Sequence, residues 1–260
     1  MIIKTGKNFG MKLLIKKNIK KVVYFNKLLS LKKKFIFLNK KKIILVGSGP
    51  NLDKKIFEVK NDEVIISCNA SGANIAKLNL GEISLTVVDN ELIDEKIAFN
   101  KEARSKIIKN NILKDLNLGH LISVQSNHAK DIDHKILKAN IKSFTSIDKN
   151  MRKIIIDSVL GKSIIDNDNT SLISTGVFSI CLCLYFGAKE IIFTGFTLFK
   201  DKKNYFYDEP NSAINDSNYL TRNHSLADSV TIGILKLNGF KIEARDRDFY
   251  PLMSNWGTKV

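Results

Sequence analysis

Short apolar runs alternate with longer mixed segments from residue 43 onward, and that rhythm predicts the elements. Ile43–Gly47, Val64–Ser67, Ser84–Val88, Leu121–Val124, Ile191–Gly195 and Lys241–Ala244 read as strands. Between them, helical patterns cover Asn69–Leu78, Asp94–Lys109, Gly176–Gly187 and Ser225–Asn238, while 145–170 fits either pattern. Strand–helix alternation of this kind predicts an α/β chain with a doubly wound, mainly parallel sheet. Gly187-Ala188 before "KEIIFTGF" marks a helix end running into a buried strand. The apolar run Val177–Phe186 is too short to span a bilayer, and Lys189 and Glu190 close it. Residues 201–223 are polar and rich in Asn and Asp, a long loop whose flanks are where chemistry is expected.

Residues 1–42 have a different character. They contain 14 Lys, no Arg and no acidic residue, leaving 28 basic and 26 acidic residues in 43–260. The net charge of +16 therefore belongs almost entirely to an N-terminal extension. Ile15, Ile19, Val22 or Val23, Leu28 or Leu29 and Leu31 recur near helical spacing among the lysines. No stretch is long and apolar enough for a bilayer span, and no signal-peptide pattern is present. Residues 1–42 thus read as a basic amphipathic extension that associates with an anionic membrane surface, and 43–260 as the main domain. A partly disordered tail, or a helix packed on the domain, is the plainer alternative. Nucleic acid is not the expected partner, because the extension lacks Arg and offers few aromatics for stacking.

The 260 residues suffice for one large α/β domain. Cys68, Cys181 and Cys183 form no disulfide framework, and the last two read as core.

Candidate chemistry lies where strands end. "ILVGSGPNL" gives a glycine turn, Gly47-Ser48-Gly49-Pro50-Asn51, that can bring backbone close to a ligand. It is not a dinucleotide fingerprint, since the third glycine position is Leu52, and it lacks the G-K-[ST] of a P-loop. "VIISCNAS" places Asn69, and "LTVVDNEL" places Asp89 and Asn90, at the carboxyl ends of two further strands, where ligands of open α/β sheets bind. Asn and Asp there also serve as helix caps. Ser174, Thr175 and Gly176 precede a helix and suit an anion or a base, or an ordinary cap. His224 closes the long loop and opens the last helix, a position for a general base; a lone His is as readily structural. His120, His128 and His134 read as surface residues. Three D-x-D triplets, at 131–133, 166–168 and 246–248, sit at no central strand end, so no metal site is expected. No G-x-S-x-G, C-x-x-C or H-E-x-x-H occurs.

"IILVGSGPNL", "SCNAS", "VVDNEL", "STGVFSICLCLYFGAKEIIFTGFTLF", then "NYFYD" and "RNHS", in this order over roughly residues 43–240, resemble the bacterial sialyltransferases of glycosyltransferase family 42. The resemblance implies a single Rossmann-like domain of the GT-A-variant type that takes a CMP-activated sugar and transfers sialic acid with inversion, without metal or cofactor. It implies that Gly47, Ser48, Gly49, Pro50, Asn51, Asn69 and Asn90 hold the nucleotide. Ser174, Thr175 and Gly176 would contact the cytidine or phosphate, and Tyr205 would hydrogen-bond the departing phosphate. Residues 206–223 would be a lid, and His224 the base that takes the acceptor's proton. Phe199 stands on the phosphate side where the family has a second Tyr, Leu172 where it has an Arg, and Thr175 where it has a Ser. The basic portion is N-terminal here instead of C-terminal. The implied partners are a CMP-sugar donor, an oligosaccharide or glycolipid acceptor and the inner face of the cell membrane, in lipopolysaccharide or capsule synthesis. A homo-oligomer is compatible with this. Kdo, pseudaminic or legionaminic acid are alternative sugars. A non-catalytic nucleotide-binding protein of the same fold, favoured by Phe199, is the alternative of another class.

Overall fold

The computed structural model describes residues 22–49, 52, 63–90, 111–124, 134–161, 173–196 and 224–245, with backbone alone at 136 and 224–226. The chain divides into two units, Met1–Phe37 and Leu38–Val260.

In the first unit, residues 22–34 form a helix, α1. Leu28, Leu31 and Phe35 are buried, three and four residues apart, as one helix face requires. Val22, Val23, Phe25 and Leu29 are exposed. The part of the expected amphipathic stretch before residue 22 lies outside the described residues.

The second unit is built on one seven-stranded parallel sheet. Its strands are β1 (Lys42–Val46), β2 (Glu63–Cys68), β3 (Ile83–Asp89), β4 (His120–Val124), β5 (Ser143–Ile147), β6 (Glu190–Thr194) and β7 (Ile242–Ala244), in the order β5-β4-β3-β2-β1-β6-β7. The expected doubly wound α/β architecture is the one found, each predicted strand lying within a residue or so of its observed bounds. β5 is an addition. The chain winds outward from β1 to β5, then returns to place β6 on the other side of β1. The order therefore reverses between β1 and β6, the topological switch point of an open α/β sheet.

Four helices follow α1 among the described residues: α2 (Ser71–Lys77), α3 (Lys149–Leu160), α4 (Thr175–Tyr185) and α5 (His224–Leu237). α4 reads TGVFSICLCLY, and Val177, Phe178, Ile180, Cys181, Leu182 and Cys183 have no exposed surface. A helix apolar all round must be covered all round. It packs on β1, β2 and β3 and against α3 and α5. α2 packs on β2 and β3. Its Ser71 meets Ser67, whereas Ser179 of α4 meets Cys68, the next residue along β2. Alternate strand residues face opposite sides, so α2 and α4 cover opposite faces of the sheet. This is why the central strands are continuous apolar runs. The two cysteines of α4 are core, as expected.

Phe178 is fully buried in α4. Phe178→Ala should cost about 3–5 kcal/mol of unfolding free energy. Urea denaturation tests this; a loss below about 1 kcal/mol would contradict the central place given to α4.

Candidate functional site

At the switch point β1 and β6 stay joined beyond their ends. Gly47 N–H donates to Thr194 O at 2.8 Å, and Gly49 N–H to Gly195 O at 2.6 Å. Gly195 has φ +77°, and a side-chain carbon there would stand 2.7 Å from Gly47 O and 2.5 Å from Leu52 Cδ2. Both constraints require glycine. The N–H groups of Gly47 and Gly49 are thus spent on the end of β6.

Hydroxyls fasten the neighbouring strand ends. Ser48 Oγ donates to Cys68 O at 3.0 Å and is buried. Ser71 Oγ donates to Val46 O at 2.7 Å, accepts Cys68 N–H at 2.9 Å and lies 3.1 Å from Ser67 Oγ. Asn69 adopts φ +55°, and its Oδ1 accepts Asp89 N–H at 3.0 Å, tying β2 to β3. Asn90 follows with no exposed surface. Ser48 thus braces the turn, and Asn69 commits its carbonyl oxygen to the next strand.

The start of α4 is held by charge. Ser174 is the N-cap, its Oγ accepting Val177 N–H at 3.2 Å. Ser174 N–H donates to Asp228 Oδ1 at 2.8 Å, and Thr175 Oγ1 donates to Asp89 Oδ2 at 3.2 Å. Arg152, on α3, is buried; its Nη2 donates to Ile173 O, and its guanidinium lies 5.2 Å from the centre of the Phe178 ring. Burial pulls the Arg152 pKa down, and the charges of Asp89 and Asp228 oppose that. Burial pushes the Asp228 carboxyl up to about 7, against the hydrogen bond from Ser174 and the charge of Arg152. Asp228 lies one helical turn after position 224 on α5, so its bond to Ser174 registers the start of α5 against the start of α4.

The ends of β1, β2 and β3 and the starts of α4 and α5 therefore meet along the carboxyl edge of the sheet. Gly47, Ser48, Gly49, Asn69, Asn90, Ser174, Thr175 and Gly176 all lie there. Pro50, Asn51, Phe199, Tyr205, Leu172, residues 206–223, His128 and the D-x-D triplets lie outside the described residues, as does the side chain of His224. Its backbone opens α5, as the sequence predicts. His120 and His134 are corrected from surface to half-buried: His120 Nδ1 lies 2.7 Å from Ser143 Oγ, and His134 stacks on Phe144. Among the described residues no cluster of metal-ligating side chains occurs. Asp228, Arg152 and Ser71 escaped the sequence reading. The signal for Asp228 was its i+4 spacing from His224; Arg152 carried none.

No family model matches the chain, and no curated protein matches it. Among solved structures it is similar to the monofunctional alpha-2,3-sialyltransferase Cst-I of Campylobacter jejuni, at 15% identity over 80% of this chain and 76% of that one, with a TM-score of 0.47. It is also similar to the C. jejuni sialyltransferase CstII in complex with the substrate analogue cytidine-5'-monophosphate, at 16% identity over 79% and 80% of the two chains, TM-score 0.43. A CstII complex with trisaccharide acceptor and CMP gives 16% identity over 78% and 80%, TM-score 0.43.

The raised pKa of Asp228 has a definite sign. Between the ordinary carboxylate range and about pH 7 the folded chain holds this proton more tightly than the unfolded chain, so this contribution to stability falls as pH rises through that window. Asp228→Asn keeps an acceptor for Ser174 N–H and removes the titration. On lowering pH from about 7.5 to about 5, the wild type should gain on the order of 1–3 kcal/mol relative to Asp228→Asn. Paired urea titrations at the two pH values check this; a constant difference would refute it.

Proposed function

We propose that this chain is a glycosyltransferase that moves a nonulosonic acid, with sialic acid as the first candidate, from CMP to a glycan or glycolipid acceptor. One observation carries the reading. The sequence blocks that resemble family 42 sialyltransferases, scattered from residue 43 to 240, supply the glycine turn after β1, the ends of β2 and β3 and the starts of α4 and α5, all on one edge of one sheet at its switch point.

The chemistry follows from the donor. The acceptor hydroxyl oxygen attacks the anomeric carbon, the bond from that carbon to the phosphate oxygen breaks, and CMP leaves with the bonding pair. A base takes the hydroxyl proton, and His224 at the head of α5 is the candidate. Tyr205 is the candidate donor to the departing phosphate. A single phosphate leaving group does not need a divalent cation, so the reading is metal-independent, and attack opposite the leaving group inverts the centre. The segment 206–223 is the candidate lid, excluding water from the donor.

With CMP-sialic acid and CMP-Kdo offered in parallel, the wild type should hydrolyse or transfer from one of them. His224→Ala should lower turnover by about 10²-fold or more while CMP affinity stays within about twofold. A wild type that binds CMP but turns over neither donor would favour the non-catalytic nucleotide binder, for which Phe199 speaks. Absence of CMP binding would reject both.

The extension supports a membrane partner. Among the described residues, no helix is long and apolar enough to cross a bilayer. Val22, Val23, Phe25, Leu29 and Ile36 are five of the six large apolar side chains exposed there, in a segment with no acidic residue. Apolar side chains among lysines suit the headgroup layer of an anionic leaflet, where lipid-linked acceptors are reached from the cytoplasmic side. The full chain should sediment with vesicles rich in phosphatidylglycerol and much less with phosphatidylcholine. Phe25→Ser/Leu29→Ser should weaken that binding severalfold; equal sedimentation with both lipids would reject the tether.

A further inference from the structure

α5 is fastened at both ends. At its far end Asn238 Nδ2 donates to Val159 O at 3.3 Å and to Leu160 O at 3.2 Å, in the last turn of α3. At its near end Asp228 Oδ1 accepts Ser174 N–H at 2.8 Å. Between them Thr231, Ile232 and Leu235 are buried at helical spacing from Asp228. Position 224 lies four residues before Asp228, in the same stripe and about 6 Å further along the axis. That turn brings α5 to the carboxyl edge of the sheet, where an open α/β fold has its ligand crevice.

The near fastening is built from charge. Arg152 Nη2 donates to Ile173 O, next to the Ser174 N–H that Asp228 holds. The charge of Arg152 also favours the ionised form of Asp228. Arg152 Nε is buried and has no hydrogen-bond partner among the described residues. Buried charges with an N–H left over are a costly way to join helices, and apolar side chains of similar volume often hold a fold as well. What hydrogen bonds to charged groups add is direction, a set distance and angle that apolar contact lacks. Proton transfer needs that precision, because a misplacement of about 1 Å can cost on the order of 10²-fold in rate.

We propose that Arg152 and Asp228 are positioning residues for the transfer reaction: they set the head of α5, and residue 224 with it, against the start of α4. They act through the backbones of the two helices and take no part in the bond changes. This rests on the reading of His224 as the base.

Steady-state kinetics of the full chain test it, with turnover expressed per CMP-binding site so that unfolded protein is not counted. Asp228→Ala and Arg152→Met should each lower kcat tenfold or more, with donor KM within about threefold. Asp228→Asn keeps an acceptor for Ser174 N–H and should recover most of the loss. Asn238→Ala loosens the same helix about 15 Å away; it should lower the urea midpoint and leave kcat within about twofold. Should Asp228→Ala or Arg152→Met fail to fold, Asp228→Glu keeps the charge, displaces the carboxylate by one methylene and should lower kcat in the same way. Wild-type kcat per site in any folded member of these three would overturn the inference and leave the transferase reading intact. So would an Asp228→Asn as impaired as Asp228→Ala, or an equal loss of kcat in Asn238→Ala. A wild type that turns over neither CMP-sialic acid nor CMP-Kdo would overturn the function and the inference together.

Discussion

Gly47 N–H reaches the Thr194 carbonyl and Gly49 N–H the Gly195 carbonyl, so two backbones approach more closely than any side chain would allow. The order of strands makes this junction non-local, because β1 and β6 are brought together by a long return of the chain. Non-local pairing is entropically costly to establish. Two extra hydrogen bonds beyond the ladder hold that junction. The same closeness delivers Phe196 to the gap between the β1 turn and α4, so a constraint on pairing also shapes the crevice.

Around that junction, fastening is shared among short polar side chains. Ser71 alone engages the ends of β1 and β2, and Ser48 and Asn69 extend the chain of bonds to β3. Each is buried or half-buried, so each hydrogen bond also avoids the cost of a stranded polar group. These side chains frame the carboxyl edge of the sheet by holding backbone ends together.

The strands were legible because a sheet covered on both faces needs apolar residues at every position, and runs such as Ile43–Val46 and Ile191–Phe193 show this directly. α4 was legible for the same reason. The β5–α3 pair was not. β5 reads SFTSI at the sheet edge and is mostly half-buried, so it carries no apolar run. α3 did carry signals, an Asp148 cap accepting Met151 N–H and Gly161 at φ +81°, but its face is interrupted by Arg152. At the site, residue types at strand ends were readable, and their partners were not. A buried Arg has no periodic signature, and its role appears only when distant elements meet.

Arg152 and Asp228 show why such residues persist at a cost. Taking a guanidinium out of water is unfavourable unless anions and acceptors surround it. Here Ile173 O, the Phe178 ring and the charges of Asp89 and Asp228 do so. All of these bear on the same short stretch, Ile173 to Thr175, where α4 begins. An apolar substitute for Arg152 would fill the volume and leave that stretch without its bond to Ile173 O. With Asp228 near its titration point, the proton on one carboxyl decides whether the start of α4 faces one negative charge or two. The charge at the start of α4 is thus set by groups that reach it from β3, α3 and α5.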